Sequence, residues 1–426
     1  MPTILKSLFL LPILALAAPA SAQFYVYKDG EAQFSSSNTI PDSVSFHAPA
    51  SDPMSSDAKT LISKINVGIN IGNTLEVPSS DDQNGETGWG NPLVNETYIK
   101  GLKALGFNAI RIPCAWHSHL SDTESYTISP DWLQRVKTVV NYCLANDLYV
   151  VLNSHWDTGW LENNIFYASK RDAIIAEQKA IWTQIANTFI DADEHLIFAG
   201  ANEPGMNEVS KGKSWSSDAA AVARLVEYEQ AFIDAVRATG GNNAKRCLVF
   251  QGLGTDISNT CNYMTTLPSD VVPDRLIAEV HFYDPYQWTI MSEDADWGKT
   301  FYYWGSENHK DGSAHNPTWG EESWVDQQMA LMKSNFVDKG IPVIIGEFSS
   351  RIQSSGSDAS ETIDATLHQK SRATYNFYVT KTAKNNGCAP FYWETGSEIN
   401  RTNGTAITTD ATDAIISGAQ QGSYPF

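Results

Sequence analysis

From about Asp57 onward the sequence predicts a (β/α)8 barrel of the TIM type, on three observations. Eight short β-rich runs alternate with longer helical patterns, the runs are apolar along their length, and nearly every one ends in a polar or aromatic residue. Alternating strands and helices build a parallel sheet with helices packed outside it. Strands covered on both faces read as unbroken apolar runs rather than as alternation. In a closed parallel barrel all the C-terminal strand ends meet at one face, and that face carries the site. Groups scattered over the sequence therefore converge in space.

The predicted strands, in order, are Val67–Gly72, Ala109–Pro113, Tyr149–Ser154, Leu196–Asn202, Cys247–Gln251, Leu276–Phe282, Val343–Phe348 and Ala389–Trp393. Helical patterns lie between them at Trp132–Asn146, Asp172–Ile190, Ala219–Ala238, Val325–Lys339 and Arg372–Asn386, the last stopped by Gly387 as a C-cap. The alternative architecture is an open doubly wound sheet. No Gly-rich phosphate loop follows the first strand, so that fold would lack its usual ligand.

Three segments are expected. Residues 1–22 read as a secretion signal: Lys6, the apolar run Leu8–Ala18 and the small-residue string Ala20-Ser21-Ala22. That run is too short to anchor in a bilayer, so a soluble, exported chain starting near Gln23 is expected. Residues 23–56 form a lead-in, with short strands at Phe24–Tyr27 and Val44–Phe46 and a turn over Asp52, Pro53 and Ser55-Ser56. Residues 57–426 form the barrel, and no second module is visible.

Composition narrows the partners. A formal charge of −20 argues against nucleic acid, which demands clustered Lys and Arg. It suits an acidic enzyme working on a neutral polymer, and 13 Trp and 17 Tyr suit stacking on sugar rings. The five cysteines form no CxxC pair, which removes a zinc ribbon; Cys247 and Cys261 are the nearest two in sequence, and an odd number leaves a thiol free. No cofactor and no metal is implied. His117 and His119 read as surface or subsite groups, and Asp157 and Glu279 as acids near the mouth without the spacing of metal ligands.

The chemistry rests on Asn202-Glu203-Pro204 and Gly346-Glu347-Phe348, each at the end of an apolar run. Hydrolysis of a glycosidic bond needs one carboxyl to protonate the departing oxygen and another to attack, or to activate water. Two glutamates at different strand ends of one barrel mouth supply that pair. The plain alternatives are a buried carboxylate paired with an arginine for Glu347 and a helix cap for Glu203.

The chain resembles glycoside hydrolase family 5, the cellulase family, from about Asn66 to Trp393. Residues Gly72-Asn73-Thr74-Leu75-Glu76, Trp89-Gly90-Asn91-Pro92, Arg111-Ile112-Pro113, His155, Asn202-Glu203-Pro204, His281-Phe282-Tyr283, Gly346-Glu347-Phe348 and Trp393 carry the resemblance, in order and at predicted strand ends. It implies Glu347 as the ionised nucleophile of a retaining mechanism and Glu203 as acid and then base. Arg111 and Tyr283 would hold the Glu347 charge, Asn202 would bond the sugar 2-hydroxyl, His155 and His281 would bond hydroxyls or tune the glutamates, and Trp393 would floor the cleaved sugar. Trp89, Trp116, Trp156, Trp160 and Trp288, in or just after strand ends, are candidate stacking platforms, and Ser79–Gly88 and Trp288–Trp324 candidate cleft walls. Relatives often carry His or another polar residue where Trp156 stands.

The resemblance implies a monomeric endo-β-1,4-glucanase acting on cellulose, mixed-linkage β-glucan or xyloglucan. Two alternatives stand beside it: an endo-β-1,4-mannanase on the same barrel, and a non-catalytic glycan-binding protein. In a retaining enzyme the two carboxyls are about 5–5.5 Å apart, and in an inverting one nearer 8 Å.

Overall fold

A computed structural model describes residues 52–78, 85–353 and 361–426, and the backbone of 25–28, 31–33 and 43–45. The expected signal segment lies outside the described residues, as does 79–84 of the expected wall. The chain divides into two compact units, Met1–Ser55 and Ser56–Phe426. In the first, Tyr25–Lys28 is the central strand of a three-stranded antiparallel sheet, flanked by Glu31–Gln33 and Ser43–Ser45.

The second unit is a closed barrel of eight parallel strands. They are β1 (Gly68–Asn70), β2 (Ala109–Ile112), β3 (Tyr149–Asn153), β4 (Leu196–Ala199), β5 (Leu248–Gln251), β6 (Leu276–Phe282), β7 (Val343–Phe348) and β8 (Cys388–Tyr392). Each pairs with the next in sequence, and β8 closes on β1. All eight fall inside or within one residue of the segments expected from the apolar runs.

The patterned helices are present, Ala219–Ala238 with the expected ends and the others with shifted ends: Pro130–Leu144, Arg171–Thr188, Glu322–Asn335 and Ala365–Asn385. The last begins seven residues before the expected Arg372, because Asp364 caps its first turn by accepting from Leu367 N at 3.1 Å. Gly387 follows with φ +82°, the left-handed geometry that ends a helix cheaply in glycine. Six further α-helices among the described residues were not expected: Ala58–Lys64, Glu96–Leu105, Met206–Ser210, Ile257–Tyr263, Tyr286–Thr289 and Thr409–Gln421.

Two apolar layers hold the barrel. The larger lies between strands and outer helices. The smaller fills the barrel axis with Ala109, Val151, Ile197, Val249, Ile277, Ile344 and Phe391, and is continuous with Leu61, Ile62 and Ile65 of the first helix and the turn after it. Toward the C-terminal ends of the strands the buried positions turn polar, with Asn70, Arg111, Asn153, Gln251 and Glu279. Paired register puts Asn70 beside Arg111 and Gln251 beside Glu279. This polar layer is the foundation of the site.

All five cysteines are free thiols. Cys261 lies 3.8 Å from the sulfur of Met332, and Cys247 is buried against the carbonyl of Ser56, so the pair nearest in sequence is not joined. No helix of the described residues is long and apolar enough to cross a membrane.

Candidate active site

Arg111 on β2 is fully buried and organises the mouth of the barrel. Its Nη1 donates to Glu347 Oε1 at 2.9 Å and to Asn70 Oδ1 at 3.0 Å, and its Nη2 donates to Asn202 Oδ1 at 2.7 Å. Its Nε lies 2.9 Å from Glu279 Oε1, a contact whose alignment makes it Coulombic rather than a formed hydrogen bond. Burial alone would raise the Glu279 carboxyl. Arg111 and His281 outweigh that and hold it below the ordinary carboxylate value.

Glu347 leaves β7 where the register with β6 slips between Val280 and His281, so that His281 faces Glu347. Such an irregularity re-aims side chains at the end of a strand. Gly346 before it is forced: a Cβ there would come within 1.9 Å of Glu279 Oε1. On the side away from Arg111, the Tyr283 hydroxyl donates to Glu347 Oε2 at 2.8 Å. Burial raises the Glu347 carboxyl, and the cations His281 and Arg111 and the Tyr283 hydroxyl oppose that rise. Burial and the carboxylates keep Tyr283 protonated, hence a donor.

Glu203 follows β4, less buried than Glu347. Its Oε1 is hydrogen-bonded to His281 Nδ1 at 2.8 Å. Burial disfavours charge on His281, but Glu347, Glu203 and Glu279 together push its pKa up to about 10, so the ring is an imidazolium at neutral pH. A carboxylate oxygen of Glu203 and one of Glu347 lie within 4.8 Å of each other, with His281 Nδ1 2.8 Å from Glu203 Oε1 and 3.7 Å from Glu347 Oε2. These three could be taken for a metal site. Their donor atoms are already committed to Arg111, Tyr283 and one another, and two cations stand beside them, which does not fit a divalent ion.

Trp393, half-buried after β8, and His155, after β3, stack with centroids 5.8 Å apart and planes at 5°. Burial, Arg111 and His281 hold His155 well below its ordinary value, so it is neutral. Tyr283, Trp393, Tyr392, Ile290, Ser350 and Arg351 are among the walls of a hollow of about 400 Å³ beside the glutamates. The motif Gly72–Glu76 builds the adjoining rim rather than touching the carboxylates. Glu76 accepts from the backbone N–H groups of Asn73 and Thr74, and Asn91 donates to the carbonyls of Asn73 and Thr395 at 3.0 Å.

The structure thus brings together Glu203, Glu347, Arg111, Asn202, His281 and Tyr283, with His155 and Trp393 alongside. It corrects three of the stacking platforms. Trp116 and Trp288 are fully buried and Trp160 is 8% exposed. Trp116 instead donates Nε1 to Asn153 O at 3.0 Å. Trp160 stacks on His117, and Trp288 packs edge-on against His368 and Tyr375. The loops that carry them are long enough to need an apolar filling of their own, and these rings supply it. Trp156 is half-buried, and Trp89 is 42% exposed. His119 is also buried, stacked on Trp132 at 3.7 Å, while His117 is bonded to Glu177. Asp157 accepts from the backbone N–H groups of Trp116 and Ser118.

Sequence reasoning passed over the exposed rings Tyr286, Trp297 and Trp319 after β6, and the buried Glu162 beside Glu203. It also passed over Asn70, Asn153 and Gln251. A signal was present: polar residues inside otherwise apolar runs, with Glu279 and His281 two apart and so on one face of β6.

The profile of the family "Cellulase (glycosyl hydrolase family 5)" matches residues 73–398. The xyloglucan-specific endo-β-1,4-glucanase of Bacteroides ovatus is 34% identical over 371 residues, 84% of this chain and 69% of that protein. Endoglucanase A of Paenibacillus barcinonensis is 34% identical over 399 residues, 88% of this chain and 93% of that one. A xyloglucan-specific β-1,4-glucanase from a ruminal metagenomic library, solved in complex with XXLG, superposes with TM-score 0.78 at 38% identity, covering 87% of this chain and 98% of that one. The chain belongs to glycosyl hydrolase family 5 and is a glycoside hydrolase of the endo-β-1,4-glucanase type.

Proposed function

We propose that this enzyme cleaves β-1,4-glucan chains, xyloglucan foremost, by retaining double displacement with Glu347 as nucleophile and Glu203 as acid and base, after export and removal of residues 1–22. The observation that carries the mechanism is the spacing: one oxygen of each carboxylate comes within 4.8 Å of the other, the close approach of a retaining pair, which supports double displacement over inversion. Charge supports the assignment of roles. Arg111 donates to Glu347 and the His281 imidazolium stands beside it, and both cations favour the ionised form that a nucleophile needs.

Glu347 attacks the anomeric carbon while Glu203 protonates the departing oxygen, and the C–O bond breaks to give a glycosyl ester on Glu347. Glu203, now a carboxylate, takes a proton from water, which attacks the same carbon and releases Glu347. Asn202, held by Arg111, faces the 2-hydroxyl, and Trp393 stacks on the sugar being cleaved. The preference for xyloglucan is supported by the named specificity of two of the relatives above.

The test is trapping with a 2-deoxy-2-fluoro cellobioside carrying a good leaving group. A stable adduct on Glu347 and its absence in Glu347→Gln are expected, with glucan affinity retained in that variant. A first-formed product of inverted anomeric configuration would end the nucleophile assignment. Reducing-sugar release from xyloglucan, barley glucan, carboxymethylcellulose and mannan ranks the substrates, and mannan as the best of them would replace the glucanase reading.

A further inference from the structure

Glu162 is a buried carboxyl in the loop after β3, 4% exposed and facing no Lys or Arg among its described contacts. Its Oε1 accepts from the backbone N–H of Glu203 at 2.6 Å, and its own main-chain carbonyl accepts from Gly205 N at 3.1 Å. One residue thus grips both ends of the Glu203–Gly205 segment. The segment is pinned elsewhere as well: Pro204 O accepts from Gly254 N at 2.9 Å. Gly205 has φ +83° and sits where a Cβ would strike the Trp215 ring at 2.5 Å, so the turn cannot relax in that direction.

We infer that Glu162 is a positioning residue for the proton donor: it fixes the backbone from which the Glu203 side chain reaches the departing oxygen. Proton transfer demands a donor within hydrogen-bond reach, and a displacement of about 1 Å costs roughly 100-fold. Glu203 is the more exposed of the two glutamates, and its His281 partner bonds only its tip. The backbone anchor is therefore what sets its reach. Burial pushes the Glu162 carboxyl up to about 8. Glutamine has the same shape and the same acceptor.

The inference rests on Glu203 being the proton donor, and the test separates the two. Phenyl and 2,4-dinitrophenyl β-cellobioside share a sugar and differ in how much the leaving group needs a proton. For Glu162→Leu and Glu162→Asp, kcat/KM on the phenyl substrate is expected to fall about 100-fold and on the dinitrophenyl substrate by only about 3-fold. Glu162→Gln should restore both to within about 3-fold of the parent. The aspartate variant keeps a carboxyl and withdraws it by one methylene, so it decides the matter if the leucine variant does not fold. Equal losses on both substrates, or no loss, would overturn the inference. Glu203→Gln is run alongside: if it too shows no dependence on the leaving group, the donor assignment fails instead.

Discussion

Tyr283 Oη stands 2.8 Å from Glu347 Oε2, on the opposite side of the carboxylate from Arg111, so the two oxygens of Glu347 are held by different donors. Arg111 is locked by three further acceptors, whereas Tyr283 is free to follow charge on Oε2.

Tyr283→Phe should therefore slow turnover about 100-fold, the scale set by removing one preorganised donor. KM should change little, because the hydroxyl bonds the carboxylate and not the resting sugar. Stopped-flow measurement of the first turnover on an aryl cellobioside checks this. A variant that forms the glycosyl-enzyme at the parent rate removes Tyr283 from the chemistry.

Arg111→Met should cost stability as well as activity. It strips two fully or nearly buried carboxylates, Glu279 and Glu347, of their cation and leaves Asn70 and Asn202 without a donor. Breaking a buried pair from one side costs about 3–5 kcal/mol. Arg111→Lys should recover only part of that, since one ammonium cannot reach four acceptors fixed around a planar fork. Urea unfolding of the three proteins measures the difference, and coincident midpoints would show that the cluster carries no net stability.

The barrel was legible in the sequence because unbroken apolar runs separated by amphipathic helices have few other solutions. The glutamates were legible because each ends such a run. Tryptophan burial was not. Trp116 and Trp288 sit in the same kind of strand-end position as Trp393, and the sequence around them does not say which rings face a loop interior and which face solvent. Trp297 was overlooked for the complementary reason: it lies in a polar excursion, among Asp294, Asp296 and Lys299, far from any strand end. Glu162 gave no signal at all, because its importance comes from a backbone N–H forty-one residues away.

Among the described residues Trp297 is the most exposed large aromatic, at 66%, and it pairs with Tyr286 at 6.0 Å near the hollow's Ile290. If these rings stack on the polysaccharide beyond the cleaved bond, Trp297→Ala should raise KM on xyloglucan about 2- to 10-fold and leave kcat unchanged, since loss of such a contact is worth roughly 0.5–1.5 kcal/mol. An aryl cellobioside, too short to reach it, should be cleaved as before. Equal KM values on the polymer would make Trp297 an ordinary surface ring.

Glu229 offers a test of the buried electrostatics away from the glutamate pair. On the helix Ala219–Ala238, its Oε1 accepts from Gln251 N at 3.1 Å, and its Oε2 is buried with no donor. Burial, with Glu279 adding to it, pushes this carboxyl from 4.5 up to about 8. A folded-state value above the unfolded one means that the protonated form fits the fold: its stability is intact below pH 4.5 and drains away as pH rises through about 8. Glutamine cannot ionise and keeps the acceptor for Gln251. Glu229→Gln should match the parent in acid and overtake it steadily across that window, by on the order of a few kcal/mol once the parent carboxyl is charged. Thermal unfolding of both proteins over the same pH range is the measurement. A gap that stays constant with pH would mean that Glu229 is charged in the fold throughout, with a counterion drawn to it that its neighbours do not supply.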